Sequence, residues 1–269
     1  MNEWKGPHPL WIVGHRGAPH RARENTFASF DWAESFGVDA IELDVRQTRE
    51  GEAVVFHDED IALGGQRVPV RHFTAREIER LTLASELGEY KIPKLEEVFH
   101  RYGGALRYVV EVKTSASTNH ALMARRVSKL AEAYRVSDRC LVASFDAEFL
   151  KRMRETDPEI ATSFLFDRPV ALPEAGRATP LFPPVDGIGP RHDLVSPALL
   201  AQAAGARLPV HVWTVDEMDE LSRLAAAGVS SITTNAPDAA RKTRDGENGG
   251  EKRLAPWSTL FRPVGDRVH

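Results

Sequence analysis

Short apolar runs of the kind that form buried strands alternate with longer amphipathic segments along most of the chain. The apolar residues between these runs recur every three to four positions, which is the spacing of one helix face. Eight strands are predicted, over residues 10–14, 39–46, 107–113, 139–144, 160–166, 186–189, 208–214 and 230–234. Helices are predicted over 25–36, 118–134, 146–156, 196–204 and 216–227, and a capping box at Thr74 opens another through Leu81.

The regular alternation of strands and helices predicts the α/β class, and eight repeats predict a (β/α)8 TIM barrel. An open, doubly wound sheet is the alternative, but it would usually carry a glycine-rich phosphate loop, and the sequence has none. Residues 51–73 interrupt the alternation, so a small inserted loop element is expected after the second strand. Residues 167–185 contain five prolines and predict a long irregular connection.

The length of 269 residues suits one barrel, since such barrels commonly use about 250. We place the barrel domain at 9–240 and a polar C-terminal tail, partly disordered, at 241–269. The segment 257–261 within that tail is apolar enough to dock on the barrel or on a partner.

Charge and cysteine content exclude several classes of protein. The net charge of −4 provides no basic field, so no nucleic-acid partner is expected, and Arg241, Lys242 and Arg244 are expected to be solvated. Cys140 is the only cysteine, which excludes an intrachain disulfide and a cysteine metal site. The polar start of the chain and the short apolar run after it predict a cytoplasmic protein without stable membrane insertion. The oligomeric state stays open.

Acidic and basic side chains lie on the same face of two predicted strands. Glu42 and Asp44 are two residues apart, so they share a face, and two such carboxylates repel each other unless a cation lies between them. Glu111 on a later strand would be a third oxygen ligand, and Lys113 would point the same way, toward an anion. Oxygen ligands of this kind bind Mg²⁺ or Ca²⁺, and the sequence does not distinguish the two ions.

The charges of this group are suited to a phosphodiester. Three carboxylates, one divalent cation, Arg16 and Lys113 leave a net charge of about +1, which one phosphodiester would neutralise. Without the cation, the carboxylates would repel that substrate.

A series of short motifs resembles the glycerophosphodiester phosphodiesterase family, and the resemblance spans residues 11–240. Each motif alone is weak, whereas their order and spacing together are specific. They are His15-Arg16-Gly17, Glu24-Asn25-Thr26, Glu42-Leu43-Asp44, Gly51 with Val54-Val55-Phe56-His57-Asp58, Ile92-Pro93-Lys94-Leu95-Glu96-Glu97, Glu111-Val112-Lys113, Ser144-Phe145, Val212-Trp213-Thr214-Val215 and Thr233-Thr234-Asn235-Ala236-Pro237.

The resemblance implies a TIM barrel that uses one divalent cation to hydrolyse glycerophosphodiesters to glycerol 3-phosphate and an alcohol, so the partner is a small-molecule phosphodiester. It implies three roles for residues of this chain: general acid and base, substrate binding, and metal binding. The acid/base pair would be His15 and His57, the phosphate would be held by Arg16 and Lys113, the glycerol would lie beside Trp213 and Phe145, and the metal ligands would be Glu42, Asp44 and Glu111.

Some points stay open at this stage. Glu24 and Asn25 are expected to cap the first helix and brace the site. The sequence does not say which histidine is the acid, and the loop after His57-Asp58 departs from the family pattern, which leaves the alcohol group open. The alternatives are a lysophospholipase D-like phosphodiesterase and a catalytically silent barrel that binds a phosphate ester. A phosphatidylinositol-type phospholipase C fits the paired motifs less well.

Overall fold

The computed structural model describes residues 2–6, 8–173 and 182–246, and these form one parallel barrel surrounded by helices. The eight barrel strands lie where the sequence predicts them. In chain order they are β1 (Trp11–Gly14), β2 (Ala40–Gln47), β8 (Arg107–Val112), β9 (Cys140–Ser144), β10 (Ala161–Phe166), β11 (Gly187–Pro190), β12 (His211–Val212) and β13 (Ser231–Thr234). Numbers 3 to 7 belong to short strands of the insertion described below.

The strands follow one another around the barrel in the order β11-β10-β9-β8-β2-β1-β13-β12, and all these neighbours are parallel. Two parallel bridges, Ile188 with Val210 and Arg191 with Trp213, join β11 to the segment around β12 and close the barrel. The predicted (β/α)8 TIM barrel is therefore confirmed.

The two faces of each strand have different environments, as the period of two requires. On β8, Tyr108 and Val110 pack outward against the helices, whereas Val109 packs inside the barrel. On β1, Ile12 faces outward and Val13 inward. The barrel interior is thus a third small core, enclosed by the strands and distinct from the two cores under the helices.

Eight α-helices lie within the described residues. They are α1 (Phe27–Ser35), α2 (Ala75–Arg80), α3 (Leu95–Tyr102), α4 (His120–Ala133), α5 (Ala147–Thr156), α6 (Pro197–Ala206), α7 (Met218–Ala226) and α8 (Pro237–Asp245). The predicted capping box is present, since the Thr74 hydroxyl accepts from the Glu77 amide and the Glu77 carboxylate accepts from the Thr74 amide. Helices α3 and α8 are absent from the predicted set; both are short, and α8 also carries few apolar residues.

The insertion after β2 is larger than predicted and contains regular structure. Strand β3 (Ala53–Val55) turns back and pairs antiparallel with β2. A hairpin of β4 (Asp60–Leu63) and β5 (Gln66–Pro69) follows, then α2, and then a second hairpin of β6 (Leu83–Ser85) and β7 (Gly88–Tyr90). A small apolar cluster that includes Val54, Ile61 and Ile78 stabilises it.

Both predicted domain limits fall inside folded structure. Before residue 9, Trp4 is fully buried inside the barrel, and its indole donates to the Arg139 carbonyl over 2.9 Å. After residue 240, α8 continues to Asp245, and Arg244 pairs with Asp39 instead of being solvated. The hydrophobic pattern of the sequence reveals neither contact, because one aromatic residue and one ion pair leave no periodic signal.

The predicted C-terminal tail and the predicted 167–185 connection both extend beyond the described residues. The docking segment 257–261 and most of the predicted tail lie outside them, as do residues 174–181 of the connection. Within the described part of the chain, no helix is both long enough and apolar enough to span a bilayer.

The Arg244 contacts predict that α8 contributes to stability. The guanidinium pairs with Asp39 and donates to the Leu10 carbonyl over 3.1 Å, and Asp39 in turn accepts from the Ile12 amide. We expect Arg244→Ala to lower the free energy of unfolding by about 1–2 kcal/mol. Urea unfolding followed by circular dichroism measures this.

The control for that experiment is Arg152→Ala, which removes an exposed ion pair with Glu155 on the surface of α5. We expect this substitution to lower the free energy of unfolding by at most about 0.5 kcal/mol. Equal, small effects of the two substitutions would contradict a structural role for residues 241–246.

A second prediction concerns His211, whose ring is buried inside the barrel. Burial lowers the pKa of His211 to about 3, so the folded protein holds it neutral while the unfolded chain protonates it near its ordinary pKa of 6.5. The contribution of neutral His211 to the free energy of unfolding is fully present above pH 6.5 and is lost as the pH falls toward 3. Between pH 7 and pH 5 the loss amounts to about 2 kcal/mol.

The measurement compares urea unfolding of the wild type and of His211→Gln at both pH values. The variant is expected to lose less stability on acidification, by about that amount. The same pH dependence in both proteins would show that another group is responsible.

Candidate active site

The loop after β1 brings the first polar residues to the barrel mouth, and its glycines make its shape possible. Arg16 and Gly17 both have left-handed backbones, with φ of 52° and 91°. A Cβ at Gly17 would lie 2.6 Å from the Ser29 carbonyl carbon, so only glycine fits against α1. The tight turn directs the backbone amide of Arg16 at Glu42 Oε2, over 2.8 Å. A non-glycine residue at φ of 52° is strained, which is common at functional sites.

The three predicted acidic residues form a buried cluster inside the barrel. Asp44 lies directly opposite Glu111 in the β2–β8 register, and Glu42 lies two residues earlier on the same face. One carboxylate oxygen from each residue lies within 4.8 Å of the others. The pleat therefore brings together all three side chains that the sequence pattern placed on one face.

The cluster holds more negative charge than its buried environment tolerates. Burial, together with repulsion from Asp44 and Glu111, raises the pKa of Glu42 well above its ordinary value. Burial also raises the pKa of Glu111. Burial acts the same way on Asp44, but Lys113 and Arg16 outweigh it and lower the pKa of Asp44. Oε1 of Glu42 is buried and accepts no hydrogen bond from any described residue.

Two cations border the carboxylates, as the sequence predicts. The Arg16 Nε lies 3.1 Å from Asp44 Oδ2, and its Nη1 is 3.0 Å from both oxygens of Glu24. Lys113 Nζ lies 2.5 Å from Glu111 Oε1 and 3.2 Å from Asp44 Oδ1. Burial works against the charge of Lys113, yet Glu111 and Asp44 outweigh it and raise the pKa of Lys113.

Asn25 braces the site, and it does not cap the first helix. Its side-chain amide donates to Asp44 Oδ2 over 2.8 Å, while its carbonyl accepts from the Asp44 amide over 3.2 Å. The N-cap of α1 is Thr26, whose hydroxyl accepts from the Ser29 amide. Asn25 adopts a left-handed backbone with φ of 57°, which lets it turn toward β2. The bracing part of the prediction agrees with these contacts, and the capping part is wrong.

His15 lies at the mouth of the barrel between the carboxylates and β13. Its Nε2 is 3.9 Å from Glu42 Oε2, and its Nδ1 is 2.7 Å from Asn235 Oδ1. Burial and the nearby Arg16 charge lower the pKa of His15. The Asn235 contact is not foreseen in the sequence, although Asn235 follows a strand directly, as His15 does.

His57 reaches the site because β3 turns back along β2. The Phe56 amide donates to the Asp44 carbonyl over 2.9 Å, and Arg46 Nε donates to the His57 carbonyl over 2.9 Å. The ring is partly exposed, and its Nδ1 lies 3.0 Å from Asp58 Oδ1.

Trp213 and Phe145, the two predicted aromatic residues, contact each other beside Lys113. Their rings meet edge to face with centroids 5.4 Å apart, and Lys113 Nζ is 5.9 Å from the Phe145 ring. The Trp213 indole donates to the Gly189 carbonyl over 2.7 Å, which fixes its plane. Phe145 is 44% exposed, so the pair forms an apolar wall open to solvent.

A small cavity lies under the carboxylates inside the barrel. Its volume is about 40 Å³, which holds only a few water molecules. It is lined by His15, Glu42, Val109, Glu111, Leu141, Ala143, Ser163, Leu165, His211, Trp213, Ser231 and Thr233. Ser163 Oγ and His211 Nε2 are buried there without a hydrogen-bond partner among the described residues.

The chemistry of the cluster fits a hard divalent cation. Carboxylate oxygens are the ligands that Mg²⁺ and Ca²⁺ prefer. The unpartnered Oε1 of Glu42 and the raised pKa of two of the three acids are what a carboxylate site without its cation should display. Glu42, Asp44 and Glu111 therefore suit either of these ions.

Comparison with known proteins agrees with this geometry. The model of the glycerophosphoryl diester phosphodiesterase family matches residues 15–239. A glycerophosphodiester phosphodiesterase of Caldanaerobacter subterraneus is 29% identical, over 84% of this chain and 94% of its own length. One from Bacillus subtilis is 27% identical, over 89% and 88% respectively.

A solved structure from Silicibacter pomeroyi superposes with a TM-score of 0.80 at 26% identity, covering 91% of this chain and 97% of the other. The family match begins directly after β1 and ends within the first turn of α8, and it contains every acidic, basic and histidine residue of the site described above. The chain belongs to the glycerophosphoryl diester phosphodiesterase family.

Proposed function

We propose that this protein hydrolyses glycerophosphodiesters to glycerol 3-phosphate and an alcohol, with one divalent cation bound by Glu42, Asp44 and Glu111. His15 and His57 serve as general acid and base. Arg16 and Lys113 hold the phosphate, and Trp213 and Phe145 contact the glycerol. One observation carries the proposal: three buried carboxylates lie between two cations and two histidines at one end of a barrel whose relatives bear this enzyme name.

The charges of the site suit the electrostatic problem of the reaction. A phosphodiester repels nucleophiles because it is negative, and its charge shifts onto the non-bridging oxygens in the transition state. When bound, a divalent cation neutralises part of that charge. Arg16 and Lys113 are held by buried carboxylates, so they are already oriented before substrate arrives. Such preorganisation avoids reorganisation during the reaction.

The two histidines suit the proton transfers. The attacking hydroxyl must lose a proton and the departing alkoxide must gain one, and imidazole does both near neutral pH. His15 is mostly buried beside Glu42, whereas His57 is more exposed and lies on the inserted element. Burial and the Arg16 charge lower the pKa of His15, which favours its neutral, proton-accepting form.

The barrel mouth offers an apolar surface beside the cations. The Phe145–Trp213 wall lies next to Lys113 and is open to solvent, so it can contact the glycerol group. The Arg23 guanidinium lies over the Tyr90 ring of the second hairpin, near His57 and Asp58. These residues border the region where the alcohol would leave.

The direct test measures release of glycerol 3-phosphate from glycerophosphocholine and glycerophosphoethanolamine with Mg²⁺, with Ca²⁺ and with excess EDTA. We expect turnover that EDTA abolishes. His15→Gln and His57→Gln should each reduce kcat by a factor on the order of 10² to 10⁴, because each removes one proton-transfer group. His100→Gln, on the exposed face of α3, is the matched control and should keep full activity.

Full activity in either active-site variant would contradict the acid/base assignment. Hydrolysis of lysophospholipids alone would favour the lysophospholipase D-like alternative. Phosphate-ester binding without turnover under any metal would favour the silent barrel.

Glu42→Gln tests the metal site separately from turnover. Because burial disfavours the charge on Glu42, the metal-free variant should melt at the same temperature as the wild type or higher. The rise in melting temperature on adding Mg²⁺ or Ca²⁺ should be largely lost, since the variant lacks one anionic ligand. Calorimetric titration should show at least about tenfold weaker binding, a loss of about 1.4 kcal/mol.

Glu155→Gln on the surface of α5 is the control, and it should retain the metal-dependent rise. An unchanged metal affinity in Glu42→Gln would remove Glu42 from the ligand set.

A further inference from the structure

A row of hydrogen bonds connects His15 to a carboxylate outside the predicted site. His15 Nδ1 lies 2.7 Å from Asn235 Oδ1, and Asn235 Nδ2 donates to Asp216 Oδ2 over 2.8 Å. His15 follows β1, Asn235 follows β13, and Asp216 follows the segment around β12. These three strands are neighbours in the barrel. The His15 backbone amide also donates to the Thr234 carbonyl over 2.9 Å, which holds the ends of β1 and β13 together.

Asp216 accepts two more hydrogen bonds from the same turn. Its Oδ1 accepts from the Asn235 backbone amide over 2.7 Å and from the Thr234 hydroxyl over 3.1 Å. An ionised carboxylate only accepts hydrogen bonds, so the amide NH₂ of Asn235 must face Asp216. The carbonyl oxygen of Asn235 then faces His15, and it only accepts. The hydrogen of this contact must therefore belong to His15 Nδ1.

This arrangement determines the tautomer of neutral His15. With the hydrogen on Nδ1, the lone pair is on Nε2. That atom is the one nearer the carboxylate cluster, 3.9 Å from Glu42 Oε2. A base must present its lone pair to the reacting group, and a histidine in the wrong tautomer fails to do so.

We propose that Asp216 is a positioning residue, which acts through Asn235 to hold neutral His15 as the Nδ1–H tautomer with its lone pair directed into the site. The consequence for turnover rests on the proposed function. The tautomer itself depends only on the hydrogen bonds, so it can be tested without any substrate.

Asp216→Asn is the informative substitution because it changes one acceptor into a donor at nearly constant shape. The Asn235 amide and the Thr234 hydroxyl should keep the remaining acceptor, since both donate to the same oxygen. The new NH₂ group at position 216 would then face the Asn235 side chain. The Asn235 side-chain amide should then rotate, so that its carbonyl faces the NH₂ group at position 216 and its own NH₂ group faces His15. His15 Nδ1 must then accept, which forces the hydrogen of His15 onto Nε2.

The double substitution Asp216→Asn with Asn235→Asp restores the original polarity at His15. A carboxylate at position 235 accepts both from the amide at position 216 and from His15 Nδ1. A purely structural role of Asp216 in ordering the turn would not reverse the tautomer and then restore it.

The measurement is two-dimensional ¹H–¹⁵N NMR of protein labelled with ¹⁵N-histidine, at a pH where His15 is neutral and with saturating Mg²⁺. The signals of His15 are assigned by their loss in His15→Gln. We expect the Nδ1–H tautomer in the wild type, the Nε2–H tautomer in Asp216→Asn, and Nδ1–H again in the double variant. In parallel, kcat should fall by a factor on the order of 10² in the single variant and recover to within about tenfold of wild type in the double variant.

Asp31→Asn on α1 is the matched control, since Asp31 also holds an ion pair and a hydroxyl hydrogen bond but lies away from the site. It should change neither tautomer nor kcat. If Asp216→Asn does not fold by circular dichroism, Asp216→Ala replaces it and should give a mixture of both tautomers, because Asn235 is then free to turn.

Retention of the Nδ1–H tautomer in a folded Asp216→Asn or Asp216→Ala variant would overturn the proposal. So would a double variant that folds without restoring the tautomer. If the wild type hydrolyses no glycerophosphodiester but the tautomer changes as expected, the proposed function fails while the positioning role stands.

Discussion

Three carboxylates buried inside one barrel impose the electrostatic constraint on which the rest of the site depends. Ionised groups without partners are costly in a buried environment, so each of Glu42, Asp44 and Glu111 needs compensation. Arg16, Lys113 and Asn25 provide it for Asp44, whose pKa is lowered. Glu42 and Glu111 stay undercompensated, with raised pKa values. Positive charge is therefore lacking at the position where the proposed divalent cation would bind.

Local backbone geometry follows from that constraint. The Arg16 amide donates to Glu42 only because the loop after β1 turns through two left-handed residues, and Gly17 allows α1 to pack directly against it. Asn25 reaches Asp44 through a third left-handed residue. The strain of non-glycine residues in this conformation is small beside the cost of an unpaired buried carboxylate.

The remainder of the fold supplies rigidity and the second histidine. Trp4 fills the barrel interior at the end opposite the site, and α8 is tied to β1 and β2 through Asp39. The inserted element pairs β3 with β2, which carries His57 alongside Asp44. The site is thereby divided between the barrel, which holds the charged residues, and the insertion, which holds one of the two histidines proposed for proton transfer.

The sequence by itself determined the barrel, its eight strands and the carboxylates on its inner face, because periods of two and of three to four residues are local properties of a chain. The family motifs added His15, His57, Trp213 and Phe145 to the expected site. Only the tertiary structure decided which residues complete these groups: Asn25 on Asp44, Asn235 and Asp216 behind His15, Trp4 in the interior and Arg244 on Asp39. Such contacts join residues up to 220 positions apart through single hydrogen bonds, and a single hydrogen bond leaves no periodic trace in the sequence.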